Sequence, residues 1–193
     1  MNSHVKITPS ADLSRRTFVR SGTLFVASAA LLGLAPRAVS GASAKLLDDL
    51  QTAHNGEANA QARYAAFARK ADQEGFAGVA SLLRTLARGE DIHMKGHAEI
   101  IRKLGATPAA TVKPAAVGTT AENLKAAIEA ESYERDKMYP AFVAGAIAAG
   151  NKDAIKDFKA AVAVEAEHAK MLAQASSHLP SWKTARKYLV CPT

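Results

Sequence analysis

Two tetrapeptides of the form Glu-x-x-His, EDIH at 90–93 and EAEH at 165–168, stand 75 residues apart in this chain. On a helix the first and fourth residues share a face, so each pair aims a carboxylate and an imidazole at one place. Oxygen and imidazole donors of this kind hold divalent metals of intermediate hardness. The residues around the first pair keep helical rhythm: Val79, Leu83, Leu86, Glu90, His93, His97, Ile100 and Leu104 follow in steps of three and four. Three polar residues therefore occupy a stripe that core packing would fill with aliphatics. A carboxylate buried there is costly unless something pairs with it.

The same replacement recurs on three further stripes. They read Leu50, Glu57, Tyr64, Ala71; then Leu124, Ile128, Glu131, Glu134, Met138, Phe142; then Ile155, Phe158, Val162, Glu165, His168, Leu172. Depth makes the pattern specific. Glu57 lies 18 residues before Gly75, with Glu90 and His93 15 and 18 after it. Glu131 and Glu134 lie 19 and 16 before Gly150, with Glu165 and His168 15 and 18 after it. At ~1.5 Å per residue all of these sit roughly 22–28 Å from the nearest turn. One Glu-x-x-His alone arises easily by chance on a helix. Two of them, matched by glutamates at equal depth, put five carboxylates and two imidazoles at one level. Like charges share a dry interior only if most are protonated or cations neutralise them. Two metal ions supply that charge, and this donor set suits iron or manganese.

The elements that must position these residues are four helices. They are expected over about 45–73, 76–104, 119 or 120 to 149, and from 151 to about 176, with turns at Glu74-Gly75 and Gly150-Asn151. Thr119 or Thr120 followed by Glu122 marks the start of the third. Between the pairs, "ATPAATVKPAAVG" carries two prolines and no helical rhythm. Extended, such a stretch reaches roughly 45 Å, about the length of a 30-residue helix. The fold class is therefore all-α, a ferritin-like four-helix bundle of two antiparallel pairs joined by a long crossover. A Glu from each of two helices plus Glu-x-x-His from the other two is the known constellation of carboxylate-bridged di-iron bundles.

The 193 residues suffice for one domain with a real core, and the single cysteine, Cys191, excludes an intrachain disulfide. Net charge is +7, but residues 1–44 hold five basic residues against one acid, which leaves +3 for the rest. Bases there are interspersed with acids, so no nucleic-acid partner is indicated. The front end has Arg15-Arg16-Thr17-Phe18, an apolar run over 23–35, and small residues ending Ala42-Ser43-Ala44. It resembles a bacterial twin-arginine export signal, which implies the twin-arginine export machinery as a partner and a periplasm or cell-envelope location. Cleavage near Ala44 would start the mature chain at Lys45; an uncleaved membrane anchor or a disordered basic tail is the alternative. The domain plan is thus 1–44 signal, 45–178 bundle and 179–193 tail.

Beyond the signal the chain is similar to the rubrerythrin family, through "GEANAQARYAAFARKADQEGF", "ARGEDIHMKGH", "ESYERDKMYPAF" and "VEAEHAKML". The resemblance implies a diiron centre held by Glu57, Glu90, His93, Glu131, Glu134, Glu165 and His168. The additional glutamate on the third helix is a feature of that family in particular. Tyr64 and Tyr139 fall where two tyrosines lie beside the irons; ordinary core aromatics are the alternative. The implied activity is reduction of hydrogen peroxide to water, with electrons from a rubredoxin-like or other electron donor, in a homodimer. Dioxygen as oxidant in a ferroxidase, a non-enzymatic metal-binding bundle, and manganese or a mixed metal pair remain alternatives at this level. Which glutamate bridges is not set by spacing.

Two features depart from the pattern. The tail "SWKTARKYLVCPT" resembles the opening of a Cys-x-x-Cys knuckle, yet one cysteine cannot hold an iron or zinc. Either the knuckle continues beyond the given sequence or the donor is a separate protein; a free thiol in a frayed tail is the plain alternative. His54 and His97 match no ligand of the family. His97 is assigned to hydrogen bonding behind a ligand, and His54 to an interhelical seam.

Overall fold

The computed structural model describes residues 41–190. The segment 1–44, expected to be an export signal, therefore lies outside the described residues except for its last four, as does Cys191. Among the described residues five α-helices follow in order: α1 Gly41–Gln73, α2 Ala77–Lys103, α3 Thr120–Tyr133, α4 Tyr139–Ala148 and α5 Lys152–Ser177. One turn of π-helix, Glu134–Met138, joins α3 to α4, so the two act as a single bundle helix. No helix among the described residues is long and apolar enough to cross a membrane. The architecture is the all-α, four-helix bundle that the sequence predicts.

Local chemistry sets the boundaries. Gly75, Gly105 and Gly150 take positive φ of 79°, 81° and 66°, the left-handed geometry that ends a helix. Beyond each, a backbone N–H reaches five residues back: Phe76 to Ala71 O, Ala106 to Ile101 O and Asn151 to Ala146 O. Of the two candidate threonines, Thr119 is the cap of α3, in a reciprocal capping box with Glu122. Asn151 caps α5 by accepting from Ala154 N–H at 2.9 Å.

The third bundle helix departs from the regular helix predicted for it. Pro140 has no N–H to give Asp136 and its ring crowds that carbonyl, and the wide turn lies directly before it. The extra residue rotates everything downstream. Tyr139 is fully buried, whereas Met138, which the stripe placed inward, is only half-buried.

The crossover is zipped onto α1. Gln51 donates to Thr107 O at 2.7 Å and accepts from Ala109 N–H at 3.1 Å. Asn55 accepts from Thr111 N–H at 2.7 Å, and Asn59 donates to Thr111 O and accepts from Lys113 N–H. Four helical residues advance ~6.0 Å and two extended ones ~6.6 Å, so the rungs stay in step. Farther along, Glu74 accepts from Thr120 N–H at 2.8 Å and pins the start of α3 to the end of α1. The long connection thus returns along α1, as the crossover reading requires.

Apolar packing falls into two clusters. One gathers Tyr64, Phe67, Val79, Leu83, Leu86, Leu124, Leu172 and Trp182. The other gathers Leu46, Leu50, Ile101, Tyr139, Phe142 and Phe158. In every helix the buried acids Glu57, Glu90, Glu131 and Glu165 fall between residues of the two clusters. The bundle has a polar floor at mid-height.

The tail is docked at Trp182, although most of the residues from 183 to 190 are exposed. Trp182 is 5% exposed, and its carbonyl accepts from Gly78 N–H at 2.8 Å, satisfying a donor at the start of α2. The Arg186 guanidinium covers the Trp182 ring at 3.7 Å. A Cβ on Gly78 would lie 2.7 Å from the carbonyl oxygens of Trp182 and Thr184. Gly78→Ala is therefore expected to lower stability by about 1–3 kcal/mol and to speed amide exchange in the tail, as read by denaturant melts and hydrogen exchange. Unchanged exchange would show that the tail does not need this contact.

Candidate metal centre

The polar floor consists of one acid from each of α1 and α3 and an acid–histidine pair from each of α2 and α5. Their donor atoms form two groups, Glu57, Glu90, His93, Glu165 and Glu90, Glu131, Glu165, His168, within each of which the atoms lie within 4.8 Å of one another. Glu90 and Glu165 belong to both. Atomic contacts show how they divide. Glu165 turns Oε1 toward His93 Nδ1 at 2.9 Å and Oε2 toward His168 Nδ1 at 2.8 Å. Glu90 places Oε2 3.4 Å from His93 Nδ1 and Oε1 3.2 Å from His168 Nδ1. Glu90 and Glu165 are therefore the pair shared between the two groups and would be the bridging acids of a metal pair, while Glu57 and Glu131 each belong to one group.

Tyrosines hold those two outer carboxylates. Tyr139 Oη donates to Glu57 Oε1, and Tyr64 Oη donates to Glu131 Oε1, all four groups being buried. One oxygen of each acid is thereby occupied and the other left free. The buried atoms without a hydrogen-bond partner include Glu57 Oε2, Glu131 Oε2, both oxygens of Glu90 and of Glu165, and Nδ1 of His93 and of His168. Leaving each such group unmade costs roughly 1–3 kcal/mol. Close approach without hydrogen-bond alignment is what lone pairs aimed at common points produce, so the residues present fit a pair of metal ions. Gly89 contributes by absence: a Cβ there would lie 3.1 Å from the His168 ring.

Glu134 falls in neither group. It sits half-buried on the π turn, where burial, then the charges of Glu57 and Glu131, hold its carboxyl well above the usual range. His97 also stands outside both groups. Its Nδ1 lies 2.6 Å from Asp157 Oδ2 and its Nε2 3.0 Å from Tyr139 Oη. His54 Nδ1 lies 2.9 Å from Met94 O, in the seam between α1 and α2. Sequence reading passes over Asp157 and Arg63, which bear on Tyr139 and Tyr64; in the pattern each looks like any other surface charge.

In the metal-free cluster, protons do the neutralising. Burial pushes Glu131 up to about 8, against His168 and with Glu90 and Glu165 adding to the push. Burial likewise raises Glu57, opposed by His97. For His93 burial opposes the charge, but Glu165 and Glu90 outweigh it and raise the imidazole to about 11. His168 is raised in the same sense, burial being overcome by Glu131, Glu165 and Glu90. Glu165 goes the other way: burial would raise it, but His168 and His93 hold it below the carboxylate range. A cavity of about 280 Å³ between α2 and α5 reaches His93 and His168, with Leu189 and Val190 of the tail on its wall.

Known proteins share both the sequence and the fold. The rubrerythrin family profile matches residues 48–176. The chain is 29% identical over 154 residues to Rubrerythrin-2 of Clostridium acetobutylicum, covering 78% of this chain and 83% of that one. The structure of fully reduced, all-ferrous nigerythrin matches with a TM-score of 0.67 at 28% identity, over 86% of this chain and 82% of that one. A bacterioferritin of Desulfovibrio desulfuricans, described with a diiron site, matches at 0.66 and 21% identity, over 77% and 96%, a likeness of fold alone.

The raised groups fix a pH dependence. His93 and Glu131 bind protons more tightly folded than unfolded, so their stabilisation is lost as pH rises, from 6.5 toward about 11 and from 4.5 toward about 8. Metal-free protein should melt at a lower temperature at pH 8 than at pH 6. Metal displaces these protons, so affinity for cobalt(II) should rise over the same interval. Calorimetry in buffers of different ionisation enthalpy reads the protons released; none released would refute the assignment.

Proposed function

We propose, on the premise that the chain belongs to the rubrerythrin family of ferritin-like diiron proteins, that it is a peroxidase reducing hydrogen peroxide to two waters. The observation that carries this reading is the pair of four-residue donor groups sharing Glu90 and Glu165. A pair of ferrous ions held there would supply the two electrons that cleavage of the O–O bond consumes, with two protons taken up to complete the two waters. Glu57 and His93 would complete one position, and Glu131 and His168 the other. Glu134, next to this set but outside both groups, would be an additional carboxylate able to offset the higher charge of an oxidised pair.

The protein's own part is positioning and exclusion. Tyr139 and Tyr64 keep Glu57 and Glu131 from rotating, and the two apolar clusters keep bulk water from the site from above and below. The cavity of about 280 Å³ that reaches His93 and His168 has room for a molecule the size of hydrogen peroxide. Electrons would come from a rubredoxin-type donor. The twin arginine at Arg15 and Arg16 supports action in the cell envelope, since that route exports folded, cofactor-loaded proteins.

Anaerobically loaded protein should hold about two irons per chain, and Glu57→Ala combined with His168→Ala close to none, by metal analysis. Mixed with peroxide, the ferrous protein should oxidise faster than with dioxygen in stopped-flow absorbance. Faster oxidation by dioxygen would favour a ferroxidase, and no oxidation a non-enzymatic bundle. Substituting lysine for both Arg15 and Arg16 should retain the protein in the cytoplasm on fractionation of the producing bacterium. Unchanged export would refute the signal.

A further inference from the structure

Four side chains, one from each bundle helix, form a line from the surface to the metal centre. Asp157 on α5 is 22% exposed at the mouth of a cavity of about 410 Å³ between α2 and α5. Its Oδ2 lies 2.6 Å from His97 Nδ1 on α2, and His97 Nε2 lies 3.0 Å from Tyr139 Oη on α4. Tyr139 donates its hydroxyl hydrogen to Glu57 Oε1 on α1. We propose that Asp157 is a positioning residue for the metal centre, acting through His97 and Tyr139 to fix which oxygen Glu57 presents. This rests on the diiron reading above.

Hydrogen-bond accounting gives the direction. The Tyr139 hydroxyl spends its one hydrogen on Glu57, so its oxygen accepts from His97 Nε2–H. His97 Nδ1–H then donates to the Asp157 carboxylate, so the ring carries both hydrogens as an imidazolium and is oriented by that carboxylate. The ring is also gripped by aromatic neighbours, Tyr139 at 5.9 Å and Phe158 at 5.6 Å between centroids. With Oε1 of Glu57 occupied in this way, Oε2 remains free among the donor atoms.

Two observations show that the arrangement is built. His97 is 1% exposed beside Phe158 in an apolar cluster, where an aliphatic would pack without any polar cost. A Cβ on Gly96 would lie 2.7 Å from Asp157 Oδ1, so the glycine leaves the space that the carboxylate occupies. The other half of the centre is supported differently. Tyr64 holds Glu131 in the same way, but Arg63 lies over its ring at 5.3 Å.

The test is a double-mutant cycle on the full chain with cobalt(II) as probe, reading both stepwise affinities and the visible absorption of each bound ion. Asp157→Ala should weaken one of the two sites about 10–100-fold and alter its absorption. In a Tyr139→Phe background the same substitution should change that affinity by less than about threefold. Asp157→Asn, which keeps an acceptor oxygen, should retain most of the affinity and guards against simple misfolding. Gly96→Ala, which removes no polar group, should reproduce the loss. Unchanged affinities in Asp157→Ala, or a loss that adds in full to that of Tyr139→Phe, would overturn the proposal alone. Failure of the unsubstituted chain to take up two cobalt ions would instead overturn the diiron reading, and this one with it.

Discussion

The structure turns on a charge problem. Glu57, Glu90, Glu131 and Glu165 are all fully buried at one level of the bundle, with Glu134 half-buried close by. Water cannot solvate them there, and five negative charges in a dry interior repel one another strongly. Protons relieve the repulsion partly: burial raises Glu57 and Glu131, with Glu90 and Glu165 adding to it, and the acids raise both histidines against burial. Protons leave the lone pairs poorly matched, however, and the donor atoms of both halves lack hydrogen-bond partners. A pair of cations satisfies charge and lone pairs together.

The rest of the fold keeps that floor rigid. The two apolar clusters supply the burial that holds the helices together, one on each side of it. The Gln51, Asn55 and Asn59 rungs and the Glu74 contact bind the crossover to α1, so the two antiparallel pairs are fixed in height. Height is what matters, because a shift of one helical turn, ~5.4 Å, would carry an acid out of reach of its partners.

The two halves of the centre share their bridging acids but not their supports. Tyr64 reaches Glu131 from α1, backed by a guanidinium. Tyr139 reaches Glu57 from α4, backed by an imidazole and a surface carboxylate. The π turn makes the second arrangement possible, since the extra residue before Pro140 swings Tyr139 inward in place of Met138. The same turn carries Glu134, which stands apart from both donor groups while the other six acids and histidines named from the sequence come together.

The sequence by itself determined the four helical stretches, the glycine turns, the crossover and the level at which acids and histidines meet. Each of these follows from periodicity or from residues close in the chain, and both are local. Thr119 as the cap was half legible, since its reciprocal partner Glu122 is three residues on but Thr120 fitted the pattern as well. The inward Tyr139 depended on a turn widened before Pro140, and the docked Trp182 on Gly78 lacking a side chain. Only the tertiary structure decided that Glu90 and Glu165 face both histidines and belong to both donor groups while Glu57 and Glu131 belong to one each, and that Asp157 stands behind His97. Spacing says which face of a helix a residue occupies. Which oxygen points where depends on how four helices are rotated against one another, and contacts between residues 42 to 82 positions apart set that.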